Sequence, residues 1–141
     1  MSRYDASNTN NSSRSNRIYS DLNLNFTKNP ATKDVARLTD IEAVKRSVRN
    51  LILTNRFERP FHPEIGSSIR GLLFETITPL NAVLLQDRIE EVIENFEPRA
   101  VLNQVIVQDE IDKNQYRVTI SFYVVNTPEP VTITEFLQRL R

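Results

Sequence analysis

The side chains that could carry out covalent or acid–base chemistry are few and poorly grouped. The single histidine, His62, lies between Phe61 and Pro63. An imidazole works as a general base only when another group orients it, and a loop histidine beside proline reads as a structural or surface residue. Glycoside hydrolysis needs two carboxylates about 5–9.5 Å apart across a sugar-sized cleft. Glu90, Glu91 and Glu94 are close in sequence, but they fall on the polar side of an amphipathic helix, where solvation accounts for them. The chain has no cysteine, hence no thiolate nucleophile, disulfide or zinc–thiolate cluster. One histidine and scattered carboxylates make no metal site. Neither a GxGxxG nor a GxxxxGK[ST] loop occurs, and Gly66 and Gly71 are the only glycines. No catalytic residue, cofactor or metal is assigned, and the chain reads as a non-enzyme.

A different use of charge is offered by Glu97-Pro98-Arg99. Proline disfavours helix at the residue before it and fixes its own φ, so the tripeptide is expected to be extended. Positions two apart in an extended segment point the same way. A carboxylate and a guanidinium would then project together between a helix and a strand. Such a pair is worth about 0–1 kcal/mol in water, whereas truncating charges desolvated against a partner costs about 2–5 kcal/mol. Either a partner-binding hinge or a plain helix stop with two surface charges fits the spacing.

These residues are positioned by an α+β arrangement: two main helices and a short one, packed with a small antiparallel sheet of two or three strands. Residues 1–17 are rich in Ser, Asn and Arg without apolar periodicity, as expected of a flexible N-terminal arm, whether free or ordered by a partner. Residues 18–141 are expected to form one domain. Leu22, Leu24 and Phe26 alternate with asparagines as in a short extended segment. Thr39 and Glu42 have capping-box spacing, and Ile41, Val44, Val48, Leu51 and Ile52 follow at helical intervals, with an end near Asn55. Pro60, Phe61, Pro63 and Gly66 belong to a rigid structural loop, followed by a short helix capped by Ser67 or Ser68. Thr78 and Pro79 mark the start of the second long helix. Its apolar residues are Leu80, Val83, Leu84, Ile89, Val92, Ile93 and Phe96, and Pro98 ends it.

Beyond Arg99 the period becomes that of strands. Val101–Asp109 and Tyr116–Val125 flank a turn at Asp112–Gln115, and Val131–Thr134 can form a third strand. Tyr116, Val118, Ile120, Phe122 and Val124 share one face of the best strand. A sheet this small leaves a border without hydrogen-bond partners, which invites strand addition from another chain, unless the terminal segments cover it. Eighteen basic residues balance eighteen acidic ones, so neither a nucleic acid nor an anionic membrane is expected as partner. No apolar run reaches the ~18–20 residues of a membrane span, and residence in the cytosol of synthesis is expected.

Several segments resemble the baseplate wedge and sheath-initiator family of contractile phage tails, of the T-even myophage type. They are Tyr19-Ser20-Asp21-Leu22, Asn50-Leu51-Ile52-Leu53-Thr54, Arg59-Pro60-Phe61-His62-Pro63-Glu64-Ile65-Gly66, Leu73-Phe74-Glu75, Thr78-Pro79 and Asn95-Phe96-Glu97-Pro98-Arg99. The bacterial type VI secretion baseplate has a related small E component, which is an alternative identity with the same mechanism. The resemblance implies that Glu97, Pro98 and Arg99 help lock a helical bundle with two copies of the large wedge subunit. It further implies that the sheet templates the tail sheath protein by strand exchange, through Tyr116, Val118, Ile120, Phe122, Val124, Val131 and Ile133. Other baseplate and tail tube proteins would be neighbours, in a virion tail baseplate assembled in the host cytoplasm. Some relatives carry a lysozyme label, so a peptidoglycan hydrolase is the enzymatic alternative; the residues above give it no support.

Overall fold

The computed structural model describes residues 19–125 and 127–140, so the expected arm at 1–17 lies outside the described residues. A short hairpin of β1 (Ser20–Leu22) and β2 (Arg37–Thr39) leads into helix α1 (Asp40–Leu53), followed by the short α2 (Ile69–Leu73) and the long α3 (Pro79–Phe96). Strands β3 (Ala100–Glu110), β4 (Gln115–Val124) and β5 (Pro130–Gln138) then form an antiparallel sheet in the order β3-β4-β5. The α+β reading holds, with the two-stranded hairpin as an addition to it.

Helix α3 begins where its signals place it. The Thr78 hydroxyl accepts a hydrogen bond from the Asn81 amide at 3.2 Å, and Pro79 occupies the first helical turn, where its missing N–H costs nothing. At α1 the signals work differently. Thr39 precedes the helix but makes no side-chain cap bond. Glu42 instead pairs with Lys45 at 2.8 Å, so the expected capping box does not form. The extended reading of Leu22–Phe26 is also corrected: the chain turns at Asn23, whose side chain accepts from the Asn25 amide and whose carbonyl accepts from the Phe26 amide. Asparagine favours such local bonds over continued pairing.

One apolar core joins the helices to the inner face of the sheet. Val44, Val48 and Ile52 of α1 and Leu85, Ile89 and Ile93 of α3 meet Tyr116, Val118, Ile120, Phe122 and Val124. These five β4 side chains are essentially inaccessible to solvent. The Tyr116 hydroxyl still finds a partner, the Thr78 amide at 3.4 Å, and burial pushes its pKa up. Strand β5 is longer than the sequence suggests, because Leu137 is buried opposite Tyr116 and the Arg117 guanidinium lies 5.7 Å from the Phe136 ring. The tail is then tied down by the Leu140 amide to the Leu73 carbonyl and by Arg139 Nε to the Glu75 carbonyl.

Candidate functional site

The hinge between α3 and β3 is a closed turn, not an extended segment. The Ala100 amide donates to the Glu97 carbonyl at 3.1 Å, with Pro98 supplying the fixed φ that a turn's second position favours. This turn folds the Arg99 side chain back onto its neighbour. Arg99 Nε and Nη2 bond the two oxygens of Glu97 at 2.7 and 2.9 Å, a bidentate pair. Its Nη1 reaches Asp21 of β1 at 3.1 and 3.3 Å, and the guanidinium lies 5.6 Å from the Tyr19 ring.

The Glu97 side chain is only 3% exposed and that of Arg99 24%. Desolvation by itself would push the Glu97 carboxyl up, but hydrogen bonds from Arg99 and Ser47 outweigh it and hold the pKa below the ordinary carboxylate range. The bond to Glu97 in turn raises the Arg99 pKa. The expectation of two charges projecting outward is therefore corrected. Glu97 is satisfied inside the chain, and Arg99 ties the end of α3 to the β1–β2 hairpin. Local sequence gives no sign of Asp21 and Tyr19 as its partners, because their contacts bridge 78 residues or more of sequence.

The sheet places the strand-exchange candidates unevenly. Strand β4 is central, paired with β3 along Ala100–Glu110 and with β5 along Pro130–Gln138. Both its borders are occupied, so the expectation that Tyr116, Val118, Ile120, Phe122 and Val124 line a free border is corrected; their side chains are core. The unpaired borders, among the described residues, belong to β3 and β5. Val131 and Ile133 lie on β5, Val131 buried against the core and Ile133 packed at its margin.

The proline loop divides as well. At Gly66, φ is +143°, and a Cβ would stand 2.6 Å from the carbonyl carbon and oxygen of Asn55, so only glycine fits. Ser67 beside it is buried and donates to the Ile52 carbonyl at 2.6 Å. Pro60, Phe61 and Pro63 are exposed, Phe61 to 96% and with φ of 72°. Phe61 is therefore not a packing residue of this chain. On α3 the residues Leu80, Val83 and Leu84, expected in the buried stripe, are 70%, 57% and 42% exposed; the helix buries Ala82 and Leu85 in their place, while Ile89, Val92 and Ile93 are buried as expected.

Among the described residues, two open strand borders and an exposed apolar helix row mark a small α+β scaffold with surfaces left unfilled by its own chain. Residues 39–129 match the family described as baseplate wedge protein gp25. The baseplate wedge protein gp25 of Enterobacteria phage T4 is 34% identical over 116 residues, covering 82% of this chain and 87% of that protein. The chain belongs to the gp25 baseplate wedge family. A chain of the anti-feeding prophage baseplate, in a six-fold symmetrised cryo-EM structure, is 31% identical with a TM-score of 0.67, covering 79% of this chain and 89% of its own. The fold is shared with a chain from Geobacter sulfurreducens that carries a tail-lysozyme label (22% identity, TM-score 0.64, covering 70% and 89%).

Proposed function

We propose that this protein is a structural wedge component of a contractile-tail baseplate, which joins the wedge subunits and starts sheath assembly by adding a sheath strand to its own sheet. The observation that carries this reading is the pair of unpaired borders flanking a saturated central strand. A border already held in register lowers the ordering cost of the first incoming segment, which is how a template starts a polymer in one place. Family membership supports the baseplate role.

The wedge contact divides into two regions. Leu80, Val83 and Leu84 form an exposed i, i+3, i+4 row, the kind of face a helical bundle buries. Glu97-Pro98-Arg99 lies at the other end of the 18-residue α3, about 20–26 Å from that row at 1.5 Å per residue. Its role in this reading is to fix the hinge shape that the bundle receives, with Arg99 the one member partly open to a partner. No hydrolase role is included.

The test is peptide-level hydrogen exchange on the purified chain with and without the sheath protein of the same particle. The expected result is new protection confined to a border strand, β3 or β5, with β4 unchanged. Sheath binding without protection on either border would overturn the strand-addition reading. A turbidity assay on cell-wall substrate covers the enzymatic alternative, with no clearing expected.

A further inference from the structure

The two free borders are not equivalent. Strand β3 changes register between Leu102 and Gln104, and a bulge of this kind kinks a border and spoils it for continuous pairing. Strand β5 pairs with β4 over nine residues without a break, so its backbone is regular along its length. Its free border also runs beside a groove of about 240 Å³, floored by α1 and walled on the far side by Leu38 of the hairpin.

Three cations of α1 reach this groove, Lys45, Arg46 and Arg49. Lys45 is matched by Glu42 at 2.8 Å and Arg49 by Glu135 of β5 at 2.8 Å. Arg46 is not matched. Its Nη2 donates to the neutral side chain of Asn25, it makes no ion pair among the described residues, and its Nε is buried without a hydrogen-bond partner. The groove therefore holds one cation that no carboxylate of the described residues matches, beside two that are matched.

Ile133 and Glu135 stand opposite Ile120 and Val118 in the ladder and line the groove. Side chains on one face of a sheet continue in line from strand to strand. A segment laid along β5 would therefore send alternate side chains down between β5 and the hairpin, onto α1. We propose that β5, not β3, accepts the incoming strand, and that this strand carries an aspartate or glutamate that pairs with Arg46. The proposal rests on the strand-addition reading and specifies the chemistry of the strand.

The experiment measures binding of the sheath protein to three forms of the full chain, at low and high salt, with hydrogen exchange on each complex. Arg46→Gln should weaken binding by about tenfold or more, as for other desolvated charge pairs, and should flatten the salt dependence. Asn25→Ala removes the same internal hydrogen bond but keeps the cation, and should bind at least as tightly as the unaltered chain. Equal losses in both variants would mean that a loosened hairpin, not a lost charge partner, was responsible, and would overturn the pairing. Protection of β5 with unchanged Arg46→Gln binding would sink the carboxylate while leaving the strand-addition reading intact. Protection of β3 would reject the choice of border, and protection of neither would remove the reading beneath both.

Discussion

The Glu97–Arg99 pair shows how two charges spaced as if to face outward can be satisfied inside the chain. Replacing Arg99 alone leaves a desolvated carboxylate without its bidentate partner. Loss of one member of a buried pair costs about 3–5 kcal/mol, and the partial exposure of Arg99 places Arg99→Gln near the lower end. Urea denaturation should show this loss, and Glu97→Gln in the Arg99→Gln background should recover part of it; a larger loss in the double variant would refute the pairing argument. The pH dependence follows from the depressed Glu97 pKa. A carboxylate with a lower pKa in the folded state adds stability that is complete above its unfolded value of about 4.3 and is lost as pH falls through the folded value. Melting temperature should therefore fall on acidification below about pH 4.3 more steeply in the unaltered chain than in Glu97→Gln. Phe61 provides the opposite case. Its φ of 72° costs a residue with a side chain about 1–2 kcal/mol, and its ring gains nothing at 96% exposure. Phe61→Gly should raise the denaturation midpoint slightly, whereas Gly66→Ala should lower it sharply, because its Cβ would collide with Asn55 backbone.

At the scale of elements, the sequence was most legible where one local rule decided the outcome. Thr78-Pro79 marks the start of α3 because cap and proline act within a single turn, and the alternation in Tyr116–Val124 marks its buried face because strand side chains have period two. Thr78→Val should cost about 1 kcal/mol, the usual value of a cap, read as a shift in the denaturation midpoint. The limits appear where tertiary partners choose among locally equal options. Leu80, Val83 and Leu84 carry the same apolar signal as Leu85 and Ile89, yet only the latter two meet the sheet. Likewise, nothing within Tyr116–Val124 reveals that the strand is central; that depends on where β5 returns, seven or more residues later. The open borders were legible as a consequence of a small sheet, but not which strands own them. The hinge charges were legible as a pair, but not as one turned inward, since Asp21 and Ser47 come from distant parts of the chain.

For the whole molecule, these contacts imply two levels of stability. The sheet and three helices share the apolar core, and β4, bonded on both sides and covered by side chains from α1 and α3, should hold the slowest-exchanging amides. The β1–β2 hairpin is attached differently. It pairs over three residues, exposes Leu22, and meets the body through contacts that include the Arg99–Asp21 ion pair, the Tyr19 ring beside Arg99 and at the core margin, two hydrogen bonds between Tyr19 and Asp40, and the Arg46–Asn25 hydrogen bond. Mostly polar, partly solvated attachments of this kind contribute about 1 kcal/mol each, so the hairpin should open without the core unfolding. Asp21→Asn removes the carboxylate that Arg99 Nη1 reaches while leaving the Glu97 bonds intact. Its effect should be faster hydrogen exchange across Ser20–Leu22 and Arg37–Thr39, with β4 exchange and the urea midpoint nearly unchanged. If β4 amides accelerated to the same extent, the hairpin would belong to the global cooperative unit.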